Sequence, residues 1–199
     1  MGDFLLNFIR FLVAVLLSPL VYGCVVSFYK HLGTYPSVYE DFFRWGQVAF
    51  IFTFLFIYQF WGVYEAGQKA MTQIFKFLTP FERMISYLLP FYIVIIFAAF
   101  YVTTTFFATN RYDPYFMFFA GFALTMHVLL SAQDMQDQEK TSIKPAYLFN
   151  MSGVFILNVF LMVLLLDLIL GKFTFPKFAE GMLLVTRYVY VMIFNRIYL

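Results

Sequence analysis

Apolar residues run through this chain in stretches of about twenty or more, separated by short polar clusters, which is the length a helix needs to cross a lipid bilayer. The interruptions read as helix starts. Thr79-Pro80-Phe81-Glu82 sets a capping hydroxyl before a proline whose missing N–H costs nothing at the first helical position, and the glutamate can reach back to the cap. Asp113-Pro114 repeats the cap and proline, Ser37-Val38-Tyr39-Glu40 is a capping box, and Pro145 and Pro176 stand just ahead of further apolar runs. These marks predict helices from Phe4 to Lys30, Ser37 to Leu78, Pro80 to Ala108, Pro114 to Gln138, Pro145 to Leu170 and Pro176 to Tyr198. Pro19 and Pro90 fall inside two of them, where each should kink the helix and leave a carbonyl for another group to satisfy.

The predicted fold class is all-α, a polytopic membrane helical bundle in a single domain over residues 1–199. Five transmembrane helices are expected over about 4–30, 42–64, 82–107, 114–133 and 146–170. Two segments are amphipathic instead. In 65–78, Glu65, Lys69, Thr72, Gln73 and Lys76 share one sector; in 176–198, Lys177, Glu180, Arg187 and Asn195 do the same. Arg187 near the middle of the last segment argues for an interfacial or groove-bound helix, with a sixth span as the alternative. The N-terminal run ends in Leu20-Val21-Tyr22-Gly23-Cys24, the outline of a lipoprotein cleavage box, but Tyr22 is bulky for that role. We therefore expect a retained first transmembrane helix.

Composition agrees with a lipid environment: 63% of residues are hydrophobic and 12% charged, against the roughly 25% charged of soluble domains. Lys and Arg are scattered singly at a net charge of +2, so no basic stripe tracks a nucleic-acid backbone. Arg10, Lys69, Lys76, Arg83, Lys140 and Lys144 fall on the N-terminal side of five spans, against Lys30, Arg44 and Arg111 opposite. In short loops this bias predicts a cytoplasmic N-terminus, and the expected location is a bacterial inner (plasma) membrane. One cysteine and two histidines make a poor basis for a metal or haem site, so no cofactor is expected.

Catalytic signatures are missing too. There is no GxSG serine for an intramembrane serine protease, and Asp134 and Asp167 fall at opposite membrane faces rather than as a facing dyad. What stands out is the fourth span. His127, Ser131, Asp134 and Gln138 alternate spacings of four and three and lie in one narrow sector, which Ala120 and Ala123 continue inward. A stripe of polar and small residues is unfavourable against lipid, so this seam should meet protein or a water-filled crevice. With the boundary near Gln133, His127 lies about 9 Å inside and Asn150 about 6 Å inside on the next helix, close enough in depth to pair. Asn158 is deeper, and Thr103, Thr104 or Thr105 could serve it.

The expectation is a non-catalytic membrane subunit that anchors or scaffolds a larger assembly, with the lipid bilayer and other membrane subunits, or further copies of itself, as partners. A small transport component with a polar path past His127, Asn150 and Asn158 is the alternative, and a lipid-acting enzyme comes third.

Overall fold

In the computed structural model, which describes residues 2–56, 60–79, 82–107, 112–139 and 144–198, the chain is all-helical, with no strand among the described residues. The helices are α1 (Gly2–Leu32), α2 (Ser37–Phe56), α3 (Trp61–Ile74), α4 (Glu82–Leu88), α5 (Phe91–Phe107), α6 (Asp113–Gln138), α7 (Pro145–Ile169) and α8 (Phe175–Tyr198), with a 3-10 turn at Lys76–Leu78. Helices α2, α6 and α7 begin at Ser37, Asp113 and Pro145, where caps and prolines mark them. Pro80 lies outside the described residues.

Three helices, Phe4–Leu32, Asp113–Gln138 and Pro145–Ile169, are long and apolar enough to cross a membrane, or four if α2 and α3 together form one broken span. The sequence predicts five, and two breaks account for the difference. The expected continuous helix from Ser37 to Leu78 stops at Phe56, and α3 sets off at 115° to α2. The expected span over 82–107 is cut rather than kinked at Pro90. Its ring crowds the preceding turn and it offers no N–H to the carbonyl of Ser86, so α4 ends at Leu88 and the apolar but short α5 restarts at Phe91. Pro19 behaves differently, because α1 carries on through it. The carbonyl it leaves open, that of Val15, accepts a hydrogen bond from Ser18 Oγ at 2.7 Å, and the next one, that of Leu16, accepts from the Tyr190 hydroxyl.

The chain forms two compact units, one continuous, Tyr35–Gln133, and one assembled from Met1–Thr34 and Asp134–Leu199. In the discontinuous unit, α1 packs on both α7 and α8. Cys24, Phe28 and Leu32 of α1, Met162, Val163 and Leu166 of α7, and Phe178 and Met182 of α8 are buried there. Helix α8 runs antiparallel along α1: the rings of Phe178 and His31 lie 6.0 Å apart, Gly181 faces Ser27, Met182 and Thr186 face Gly23, Thr186 Oγ1 lies 3.5 Å from the carbonyl of Pro19, and Tyr190 reaches Leu16. A Cβ on Gly23 would come 2.3 Å from Thr186 Oγ1, so small residues are what let these helices approach.

In the continuous unit, Phe50, Tyr64, Met126 and Leu130 form a core, wrapped by Phe54, Phe60, Trp61 and Phe122. Phe50 meets Phe122 edge to face at 5.1 Å. Helices α2 and α6 touch backbone to backbone: a Cβ on Gly46 would lie 1.9 Å from the Phe118 carbonyl oxygen, and one on Gly121 would lie 2.2 Å from that of Phe43. Asp113, expected to cap α6, turns its carboxylate to α2, where Oδ2 accepts the Tyr39 hydroxyl at 2.6 Å.

Candidate functional site

The seam on α6 is a graded one. Ala120, Ala123, His127 and Ser131 are buried, Asp134 is half-buried, and Gln138 is exposed and donates to Asp134 Oδ1 at 3.1 Å. Its buried members are held within the continuous unit. His127 Nε2 lies 2.9 Å from the carbonyl oxygen of Tyr87. A carbonyl can only accept, so Nε2 bears the proton. Beside it, Gln68 Nε2 donates to the carbonyl of Ser86 at 3.1 Å.

Both acceptors belong to the last turn of α4, and Pro90 explains them. The carbonyl of Ile85 still receives the N–H of Leu89 at 2.9 Å, but that of Ser86 would have been served by the nitrogen of residue 90, which has no hydrogen. Side chains from α3 and α6 therefore satisfy the broken end of α4. A turn further along, the hydroxyls of Tyr64 and Ser131 share a buried hydrogen bond at 3.1 Å. Tyr64, Gly67, Gln68, Ser86, Tyr92 and His127 line a pocket of about 190 Å³, mouth included. That is below the roughly 300–1,000 Å³ typical of small-molecule sites.

The other sequence candidates fall elsewhere. Asn150, expected opposite His127, is exposed, and His127 finds its partner on α4. Asn158 is fully buried and donates to the carbonyl of Val154 in its own helix at 2.8 Å. Thr103 and Thr104 also bond within their own helix, to the carbonyls of Ala99 and Phe100. On α8, Lys177, Glu180, Arg187 and Asn195 are all exposed, while Phe178, Met182 and Thr186 form the buried stripe.

A second polar cluster, in the discontinuous unit, is one the sequence reading passes over. Asp167, in the last turn of α7, accepts the N–H groups of Thr174 and Phe175 and the Thr174 hydroxyl, each at 2.6 Å. The carboxylate thus caps the start of α8 from the end of α7, complementing the partial positive charge there. His31 sits against it, with Nδ1 3.4 Å from Thr174 Oγ1 and Nε2 4.0 Å from Asp167 Oδ1. Lys172 Nζ donates to the carbonyl of Thr34 at 3.2 Å, and Gly171 takes φ +61° to reverse the chain. The signal was there to be read: an aspartate ending an apolar run, then a glycine, then a threonine ahead of Phe-Pro.

No group of three or more His, Cys, Asp or Glu among the described residues could hold a metal ion. Compared with protein families, known proteins and solved structures, the chain finds no match.

Proposed function

We propose that this chain is a non-catalytic integral membrane subunit that anchors or scaffolds a larger membrane assembly. The observation that supports this most is the use of the buried polar side chains as ties between helices. His127 Nε2 donates across to the Tyr87 carbonyl at the broken end of α4. Ser131 is joined to Tyr64 and Gln68 to Ser86 in the same way. We place the chain in a bacterial inner membrane with a cytoplasmic N-terminus, on the side of Arg10 and of Lys144 at the start of α7.

The test is a tagged chain taken from native membranes in mild detergent. It should run with a protein mass well above its own 23.5 kDa and bring partners at fixed stoichiometry. A monodisperse, partner-free chain ends this reading.

A transport role draws on one observation, the helix broken at Pro90, because broken helices line many substrate and ion paths. The carbonyls such a site would offer are here bonded by Gln68 and His127, which favours the structural role. Solute flux into liposomes holding only this chain, abolished by Asn158→Leu, would reverse that preference.

A further inference from the structure

The antiparallel register of α8 on α1 has a consequence for depth. Contacts from His31–Phe178 through Pro19–Thr186 to Leu16–Tyr190 keep the two helices side by side over about half of each. Helix α1 is long and apolar enough to cross a membrane, and Pro19 lies near its middle. Arg187, next to Thr186, is therefore level with the middle of a span. Along α8 it stands about 15 Å from Lys177 and about 13 Å from Arg196, at about 1.5 Å per residue.

Its direction is equally telling. At about 100° per residue Arg187 points away from the stripe of Phe178, Met182 and Thr186 that meets α1. It shares the outer face with Glu180, Leu184, Val191 and Phe194, all exposed. No hydrogen bond or ion pair joins Arg187 to another described residue. A guanidinium facing hydrocarbon at that depth is expensive, and such groups are met by an opposite charge or by a polar path.

We propose that α8, which by its own hydropathy is not one of the spanning helices, crosses the bilayer by its pairing with α1, and that Arg187 docks a partner transmembrane helix bearing a carboxylate near mid-membrane. This rests on the reading of the chain as a membrane subunit and names the chemistry of its partner. A second copy in the same orientation would set Arg187 against Arg187 at equal depth, which is repulsive. The same face tells what else the partner presents. Leu184, Val191 and Phe194 call for apolar neighbours, and Glu180, about two turns away, calls for a donor near one end of the partner helix.

The experiment uses the full chain, donor-labelled, in neutral phosphatidylcholine vesicles with acceptor-labelled leucine-rich transmembrane helices that carry either a central Asp or only Leu. Energy transfer to the Asp helix should exceed transfer to the Leu helix at least fivefold, and the difference should vanish in Arg187→Leu. Equal transfer to both helices means that Arg187 reaches a lipid headgroup instead, and overturns the proposal. Transfer between two labelled copies of the chain that Arg187→Leu abolishes overturns it in favour of self-association. Depth has its own readout: Leu184→Cys should resist a membrane-impermeant maleimide from both sides of sealed vesicles, against the background of the buried Cys24, and labelling from water places α8 at the interface and overturns the spanning step. In native membranes the complex should be lost in Arg187→Leu. A complex that survives the substitution overturns this contact while leaving the subunit reading standing, so the two fail separately.

Discussion

His127 shows how a residue that looks chemical can be structural. The cost of removing it is the cost of leaving the Tyr87 carbonyl buried without a donor, about 1–3 kcal/mol. His127→Leu should lower the thermal midpoint in detergent accordingly, while His127→Gln, which keeps a donor, should recover much of the loss. A midpoint unmoved by His127→Leu would mean the bond contributes nothing. Tyr64→Phe should cost less, about 1 kcal/mol, since Ser131 can turn its hydroxyl to a helix carbonyl. The spacing of His127 and Ser131 made their shared buried face legible in the sequence. Their partners were not, because the acceptor for His127 is a backbone carbonyl at the broken end of another helix. Residue identity marks side chains and says nothing of which carbonyls a distant break exposes.

At the scale of elements, helix starts were the most readable feature, since Ser37, Asp113-Pro114 and Pro145 act locally on the first turn. Helix ends were less so. Between Phe56 and Trp61 the sequence offers neither Pro nor Gly to mark a stop; the hydrophobic run simply continues, and the packing of Phe50, Phe60 and Phe122 sets the new direction. The glycines give the sharpest test of the packing itself. Gly121→Ala drives a methyl into the Phe43 carbonyl and should destabilise by about 1–3 kcal/mol. Gly153→Ala, on α7, meets nothing within 4 Å and should be neutral or stabilising by up to about 1 kcal/mol. Thermal midpoints for the two in the same detergent should move in opposite directions, and equal losses would contradict the close α2–α6 crossing.

The whole molecule is two units drawn from one chain, the second of which closes only when its two distant segments meet. Asp167 tests their independence. Asp167→Ala removes the acceptor of two N–H groups and a hydroxyl at the start of α8. It should speed proteolysis around Gly171–Thr174 severalfold and leave the fragment over residues 35–133 as resistant as before. Loss of that fragment at the same rate would show the two units to be a single cooperative one. Fold class was legible throughout, because a chain this apolar with starts this regular has to be helical in lipid. The number of spans was not, since it depended on the bend after Phe56 and on Pro90 breaking its helix while Pro19 did not; the freed carbonyl is met by a serine one residue away at Pro19, and by a glutamine from another helix at Pro90.

The pairing of α1 with α7 and α8 also sets a timetable. A ribosome makes α1 well before its two covering helices, with the whole of the continuous unit synthesised in between. A chain stalled before Thr174 leaves the groove at Gly23 and Ser27 open, and His31 without the threonine and helix start it packs against. Incomplete chains therefore display a small-residue groove that finished ones hide. Membrane proteases and insertion chaperones have in that groove a chemical difference by which to sort the two.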